Sequence, residues 1–220
     1  MSESREVFVT GSTGFMGRAL IALLVKRGHH VRALVRAGSE RKAPPDCKIV
    51  IGDPRDATTF ATSVSGADTF VQLVGVTHPN PSKGEQFRTI DLNAALAGLS
   101  AARDADIKHF IYVSVAHPAP IMKSYIAVRM EAEQRIRESG LNATFLRPWY
   151  VLGPGRWWPY FLVPMYWLFG IIPSTRESAQ RLGLVTREQM IDALAWSVEN
   201  PANGVRVMEV PAIRTARLTN

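Results

Sequence analysis

A single cysteine, Cys47, stands in 220 residues, so no internal disulfide can form. Beside an apolar run, it reads as core rather than nucleophile. The five histidines (His29, His30, His78, His109 and His117) show no metal-ligand spacing with cysteines or acids, which leaves no candidate metal site. The chain also lacks a long basic run. Its formal charge of +7 is scattered, with no helix-turn-helix or RNA-binding signature, and no nucleic-acid partner is expected. No apolar run reaches the roughly twenty residues needed to span a bilayer. The nearest approach, RWWPYFLVPMYWLFGIIP at 156–173, is broken by Pro159 and Pro164. The opening MSESREVFV has no signal-peptide layout, so a cytoplasmic location is expected.

What is present is concentrated between Val7 and Arg36. The apolar run Val7–Val9 suits a buried strand. Gly11, Gly14 and Gly17 follow at three-residue spacing, then a helical pattern through Leu20, Leu23 and Leu24 that stops at Gly28. A second apolar run, Val31–Val35, ends in Arg36. Strand, glycine turn, helix and strand within about thirty residues form the context in which a glycine motif reads as a dinucleotide site. A pyrophosphate needs backbone N–H groups and the positive end of a helix, and side chains would hold it away. Gly17 is followed by Arg18-Ala19 rather than Lys-Ser/Thr, which argues against nucleoside triphosphate hydrolysis. The end of the second strand selects the cofactor. An acid there would bind the ribose hydroxyls of NAD, whereas arginine suits the extra phosphate of NADP. Arg36 occupies that end, with Arg32, Arg41 and Lys42 near and no acid before Glu40, so NADP(H) is preferred over NAD(H).

The remaining strands are expected at 48–51, 68–74, 107–114, 143–146 and 205–210. The expected fold class is α/β, a Rossmann-type doubly wound parallel sheet in a single domain over 1–220. Residues from about 152 would add a small apolar C-terminal appendage. Asp56 is a candidate N-cap. Two readings stand for Asp53, an adenine contact or a turn cap. Gly75 would let backbone approach the adenosine ribose, and the loop 76–84 would rim the crevice or simply cross the surface. A long helix over 85–104 carries Asn93, which either holds a water near the site or faces solvent. Thr186 and Gln189 are spaced as a capping box for a last helix to Glu199, and the tail RTARLTN is expected to be loose. Tyr125 and Arg129, four apart, share one helical face. A tyrosine one turn from a cation can exchange a proton with a carbonyl or alcohol, because the nearby positive charge favours the phenolate.

Taken together, TGSTGFMG at Thr10–Gly17, Tyr125-x-x-x-Arg129 and GLNATFLRPWYVLGPG from Gly140 to Gly155 resemble the short-chain dehydrogenase/reductase family in its extended or atypical branch. Within it the chain is similar to NAD(P)H-binding proteins of the kind found as the nucleotide-binding accessory subunit of respiratory complex I, and to NmrA-type proteins. The resemblance implies diphosphate contacts at Gly11, Thr13, Gly14, Phe15, Met16 and Gly17, and a 2′-phosphate contact at Arg36. It implies adenosine contacts at Asp53, Leu73, Val74 and Gly75, and a nicotinamide-side segment at Pro148, Trp149, Tyr150 and Val151. It makes Tyr125 the catalytic tyrosine and, where that branch has lysine, puts Arg129 beside the nicotinamide ribose. The carbonyl-polarising serine of the family falls at Val115, with Ser114 one residue early. The expected activity is hydride transfer between NADP(H) and a small apolar carbonyl, alkene or quinone. The alternatives are a non-catalytic NADP(H)-binding redox sensor or accessory subunit and, more weakly, a nucleotide-sugar epimerase or dehydratase. The 156–173 stretch would serve as a lid over an apolar substrate, as a membrane or protein contact, or as a buried helix packing over the sheet. A homodimer through the helices of Leu96 and Ala132 follows from the resemblance alone.

Overall fold

Continuous apolar runs such as Val7–Val9 and Phe110–Val113 suit strands covered on both faces. The structure, a computed structural model that describes residues 3–76, 79–119, 121–153 and 182–218, places them at the centre of a parallel sheet. Along the chain run β1 (Glu6–Thr10), α1 (Gly17–Lys26), β2 (His30–Val35), β3 (Lys48–Ile51), β4 (Thr69–Gln72), α2 (84–104) and β5 (His109–Val113). They are followed by α3 (Lys123–Glu138), β6 (Ala143–Arg147), β7 (Tyr150–Leu152), β8 (Leu184–Thr186), α4 (Arg187–Glu199), β9 (Val205–Glu209) and α5 (Val210–Thr215). The sheet order is β3-β2-β1-β4-β5-β6-β9, parallel throughout, and β7 pairs with β8 apart from it. Helices α1, α4 and α5 bury one face, and α2 and α3 the other. This is the Rossmann-type doubly wound α/β fold that the sequence predicts. The apolar stretch 156–173 lies outside the described residues. Among the described residues, no helix is long and apolar enough to cross a membrane.

On the face under α2 and α3, side chains two residues apart along each strand line up across the sheet. Phe8, Phe70 and Phe110 are register partners on β1, β4 and β5, with ring centroids 5.3 and 5.1 Å apart. Phe60 extends the row at 5.9 Å. Two residues further along the same strands the partners are Thr10, Gln72 and Tyr112, and Thr10 donates to the Gln72 side-chain oxygen at 2.6 Å. An aromatic row therefore holds the middle of the sheet, and a polar row begins toward the carboxyl ends, where doubly wound sheets bind ligands.

Two local expectations change. Residues Arg214–Leu218 do not form a loose tail: α5 ends at Thr215, Ile213 and Ala216 are buried, and the Arg214 guanidinium donates to the Leu184 carbonyl at 2.6 and 2.9 Å. Polar composition concealed the apolar anchor Ala216, three residues beyond the buried Ile213. Within α2, Asn93 is exposed, which answers the question left open for it. The buried polar residue is Asp91, on a π-helical segment (Phe87–Leu92) flanked by α-helical Gly84–Gln86 and Asn93–Asp104. The widened turn shifts the helical phase there, so an α-helical wheel misplaces residues on that segment. The capping box forms as expected, with the Thr186 hydroxyl accepting from the Gln189 N–H at 3.2 Å and the Gln189 side chain accepting from the Thr186 N–H at 3.0 Å.

The core also sets an acid limit. His109 on β5 is buried and its Nε2 lies 2.9 Å from the Thr144 hydroxyl. Burial, with the Arg206 and Arg5 charges, lowers its pKa from 6.5 to about 4. An unfolded chain takes up this proton below 6.5 and the folded one does not until about 4. Stability is therefore expected to fall as pH drops through that window, by about 3 kcal/mol in all. Urea midpoints at pH 7 and pH 4.5 should show that slope in the parent protein and a weaker one in His109→Gln. Equal slopes would assign the acid limit to another group.

Candidate functional site

The glycine turn sits at the switch point between β1 and β4. Gly11 has φ +67°, and a Cβ on it would lie 2.9 Å from the Leu73 carbonyl carbon, so the turn after β1 touches the chain leaving β4. Ser12 is fully buried, and its hydroxyl donates to the Leu34 carbonyl at 2.5 Å, tying the turn to the end of β2. Gly17 packs against the turn itself: a Cβ there would stand 2.3 Å from the Gly11 carbonyl oxygen. Gly14 alone of the three is exposed. The first turn of α1 carries no acid and no side-chain cap, leaving the positive end of the helix open to an anion.

From this turn a cleft of about 450 Å³ runs along the carboxyl ends of β1–β4. Of the sequence-predicted contacts, Gly11, Thr13, Gly14, Arg36, Asp53, Leu73, Val74 and Gly75 all line it. Val76 and Lys83, near the two ends of the 76–84 loop, line it too. Arg55, Gln86 and Ile90, with Leu34 and Pro54, complete the wall and were missed in the sequence. Asp53 does cap the turn after β3. It faces the cleft and also accepts the Arg55 N–H at 3.0 Å and that guanidinium at 2.6 and 3.0 Å. The Arg55 hydrogen bonds hold its carboxyl below the usual range, with a smaller contribution from Arg36. Arg32 does not join this group; its guanidinium donates to the Ser63 and Ser65 carbonyls at 2.7 Å.

The other predicted residues lie elsewhere. The Phe15 ring packs below Gly153, where a Cβ would come within 2.5 Å of it, and the Arg187 guanidinium lies 5.4 Å above the ring. Met16 and Val151 pack against the core under α1 and α4. Pro148 accepts the Ala116 N–H at 3.0 Å, Trp149 is half-buried beside it, and Tyr150 pairs with Leu184. Ser114 and Val115 are both buried, and the Ser114 hydroxyl has no hydrogen-bond partner among the described residues.

Tyr125 and Arg129 do meet. The Arg129 guanidinium stands 5.1 Å from the Tyr125 ring centroid, and Phe87 packs on the same ring at 5.0 Å. The contact is with the ring face rather than the hydroxyl. The guanidinium is buried, donating to the Tyr112 hydroxyl at 3.2 Å, the Val113 carbonyl at 2.9 Å and Asp91 at 2.5 Å. Asp91 also accepts the Val76 N–H at 2.9 Å. A Cβ on Gly75 would come within 2.5 Å of this guanidinium, so Gly75 is required by the cation behind the cleft wall as well as by anything in front of it. Burial lifts the Asp91 carboxyl above its ordinary range, and Arg129 and the Val76 N–H pull it part of the way back. Burial likewise pushes the Tyr112 hydroxyl up to about 12. Desolvation works against the Arg129 charge, but Tyr112, Tyr125 and Asp91 outweigh it and its pKa rises. Asp91 and Tyr112 were not singled out in the sequence; a lone acid in an apolar helical stretch was the available signal.

An exposed glycine at an uncapped helix start, a cleft at the switch point and a cation at the end of β2 define a dinucleotide-binding α/β protein, and these residues fit such a ligand. A family model described as NAD(P)H-binding matches residues 11–154, and the chain belongs to that family. It is 29% identical over 151 residues to the ceramide reductase of Caulobacter vibrioides, covering 68% of this chain and 47% of that one. It is 28% identical over 168 residues to a 4-hydroxy-2-methyl-3-oxo-4-farnesyl-3,4-dihydroquinoline-1-oxide ketoreductase of Stigmatella aurantiaca, covering 66% and 50%. The chain thus spans about half the length of these curated relatives. A short-chain dehydrogenase/reductase superfamily protein of Agrobacterium tumefaciens, solved with bound NAD, shares the fold with a TM-score of 0.68 at 16% identity, over 93% of this chain and 77% of that one.

Proposed function

We propose that the protein binds NADP(H) in the switch-point cleft and transfers hydride between it and a small apolar carbonyl, alkene or quinone. The observation that carries this reading is Arg36, which lines the cleft at the end of β2 where an NAD site would carry an acid. The two curated relatives are named as reductases, one of a ceramide and one of a farnesylated dihydroquinoline, which supports an apolar substrate. When bound, the nicotinamide supplies the hydride chemistry. Tyr125 is the proton donor to the oxygen of a reduced carbonyl, and Phe87 and Arg129 hold its ring. Arg129 is a positioning residue behind Gly75, with both of its terminal nitrogens engaged by Asp91, Tyr112 and Val113.

Calorimetric titration with NADPH and NADH, followed by NADPH oxidation with quinones and aromatic aldehydes, tests the reading. NADPH is expected to bind more tightly than NADH and to be consumed. Tyr125→Phe should lower turnover about 100-fold, the scale of general acid catalysis, and leave NADPH affinity unchanged. Full turnover in that variant removes the proton donor. A second reading, a cofactor-binding sensor or accessory subunit without catalysis, is favoured by the buried, Asp91-paired Arg129 and by Val115 at the serine position. Tight NADPH binding without turnover on a broad panel would select it.

A further inference from the structure

The sequence pointed to one cation for the adenosine end of the cleft, and the structure supplies a second. Val35 and Ile51 are register partners on β2 and β3, and the Gly52 N–H donates to the Val35 carbonyl at 3.0 Å. The chain leaving β3 therefore starts beside Arg36. It turns at once: the Asp53 carboxylate accepts the Arg55 N–H, and the Asp53 carbonyl accepts the Asp56 N–H at 3.0 Å. That turn folds Arg55 back over Asp53, which its guanidinium grips at both oxygens, and Arg36, Asp53 and Arg55 all face the cleft.

The order of charges is positive, negative, positive. The Arg55 and Asp53 side chains are 49% and 37% exposed, and a pair this open to water contributes little to stability. Nothing in the fold depends on Arg55 keeping its grip. A carboxylate alone in this wall would repel a phosphate, whereas one matched to Arg55 leaves the group with a net positive charge. Planar guanidiniums bind phosphate oxygens through paired N–H groups.

We propose that Arg55 is the second arm of a site for the phosphomonoester on the adenosine ribose, and that Asp53 is its counter-ion rather than an adenine ligand. This deepens the NADP(H) reading and rests on it. The site is a two-armed clamp, Arg36 from β2 and Arg55 from the turn after β3, with Asp53 holding the second arm ready.

Titrations of the full chain with NADPH, NADH and adenosine 2′,5′-bisphosphate, in the parent protein and in Arg55→Gln, Arg36→Gln and Asp53→Asn, test it. Arg55→Gln should weaken NADPH and the bisphosphate about 10-fold or more, the loss of a charge-assisted contact, and leave NADH within about twofold by the same reasoning; unchanged NADH binding also reports an intact fold. Asp53→Asn, which releases Arg55 and removes a negative charge, should tighten NADPH and leave NADH unaltered. Equal weakening of NADPH and NADH by Asp53→Asn would mark it as an adenine ligand and overturn the assignment. So would an Arg55→Gln protein with parental NADPH affinity while Arg36→Gln has lost it, and that result would leave the cofactor reading standing. A parent protein that binds NADH as well as NADPH would take down both.

Discussion

Asp91→Ala is expected to cost about 3–5 kcal/mol of stability, the usual result of leaving one charge of a buried pair without its partner. The Arg129 guanidinium would stay buried between Tyr112 and Val113, and the Val76 N–H would lose its acceptor. The pair itself is a poor source of stability. Its folded carboxyl pKa is raised mainly by burial, so the folded state holds that proton more tightly than the unfolded chain does. Its contribution favours folding below the ordinary carboxylate value and is lost as pH climbs through the raised one. Ionising this carboxyl thus carries a net desolvation cost. Asp91→Ala combined with Arg129→Met should therefore recover a substantial part of the loss, because apolar replacement of a whole buried pair is often neutral. Chemical denaturation of the single and double variants measures both. A single variant within about 1 kcal/mol of the parent, the range of an exposed pair, would show that water reaches Arg129.

The strands, the switch point and half of the site were legible in the sequence because they rest on local patterns. Apolar runs mark Val7–Val9 and Val31–Val35 as buried strands, three glycines mark the turn, and Thr186 with Gln189 marks the start of the last helix. Residues that act across the fold were not legible. Arg55 reaches the cleft only because β3 lies against β2. Asp91 meets Arg129 only through a π-helical turn that the sequence does not announce. The tyrosine helix is entered through Met122, with φ 60° and ψ 34°, a left-handed conformation in which glycine or asparagine would be expected. The Tyr125–Arg129 spacing correctly put the two side chains on one face, but spacing gives no information on depth, and the guanidinium lies inward of the ring where a lysine-like contact with a ribose had been expected.

Gly17→Ala and Gly14→Ala are expected to separate the two duties of the glycine turn. A Cβ at Gly17 would stand 2.3 Å from the Gly11 carbonyl oxygen and 2.8 Å from the Ser12 Cα. Both are backbone atoms, so no rotamer change relieves the clash. Nor can the turn retreat freely, since Gly11 lies against Leu73 and Ser12 is bonded to Leu34. Overpacking of this kind costs about 1–3 kcal/mol, and the displaced turn carries Gly14 with it. Losing one or two charge-assisted backbone contacts to a diphosphate, at about 1.5–3 kcal/mol each, puts the fall in NADPH affinity at roughly 100-fold. Gly14 is different: a Cβ there meets only the Gly11 oxygen, at 3.1 Å, and the residue is exposed on the cleft wall. Its alanine variant should keep parental stability and still lose NADPH affinity, because the added methyl stands where the diphosphate must approach backbone. Thermal melts paired with NADPH titrations read both effects. If Gly14→Ala binds NADPH as the parent does, the diphosphate does not lie against Gly14, and the open start of α1 is not its site.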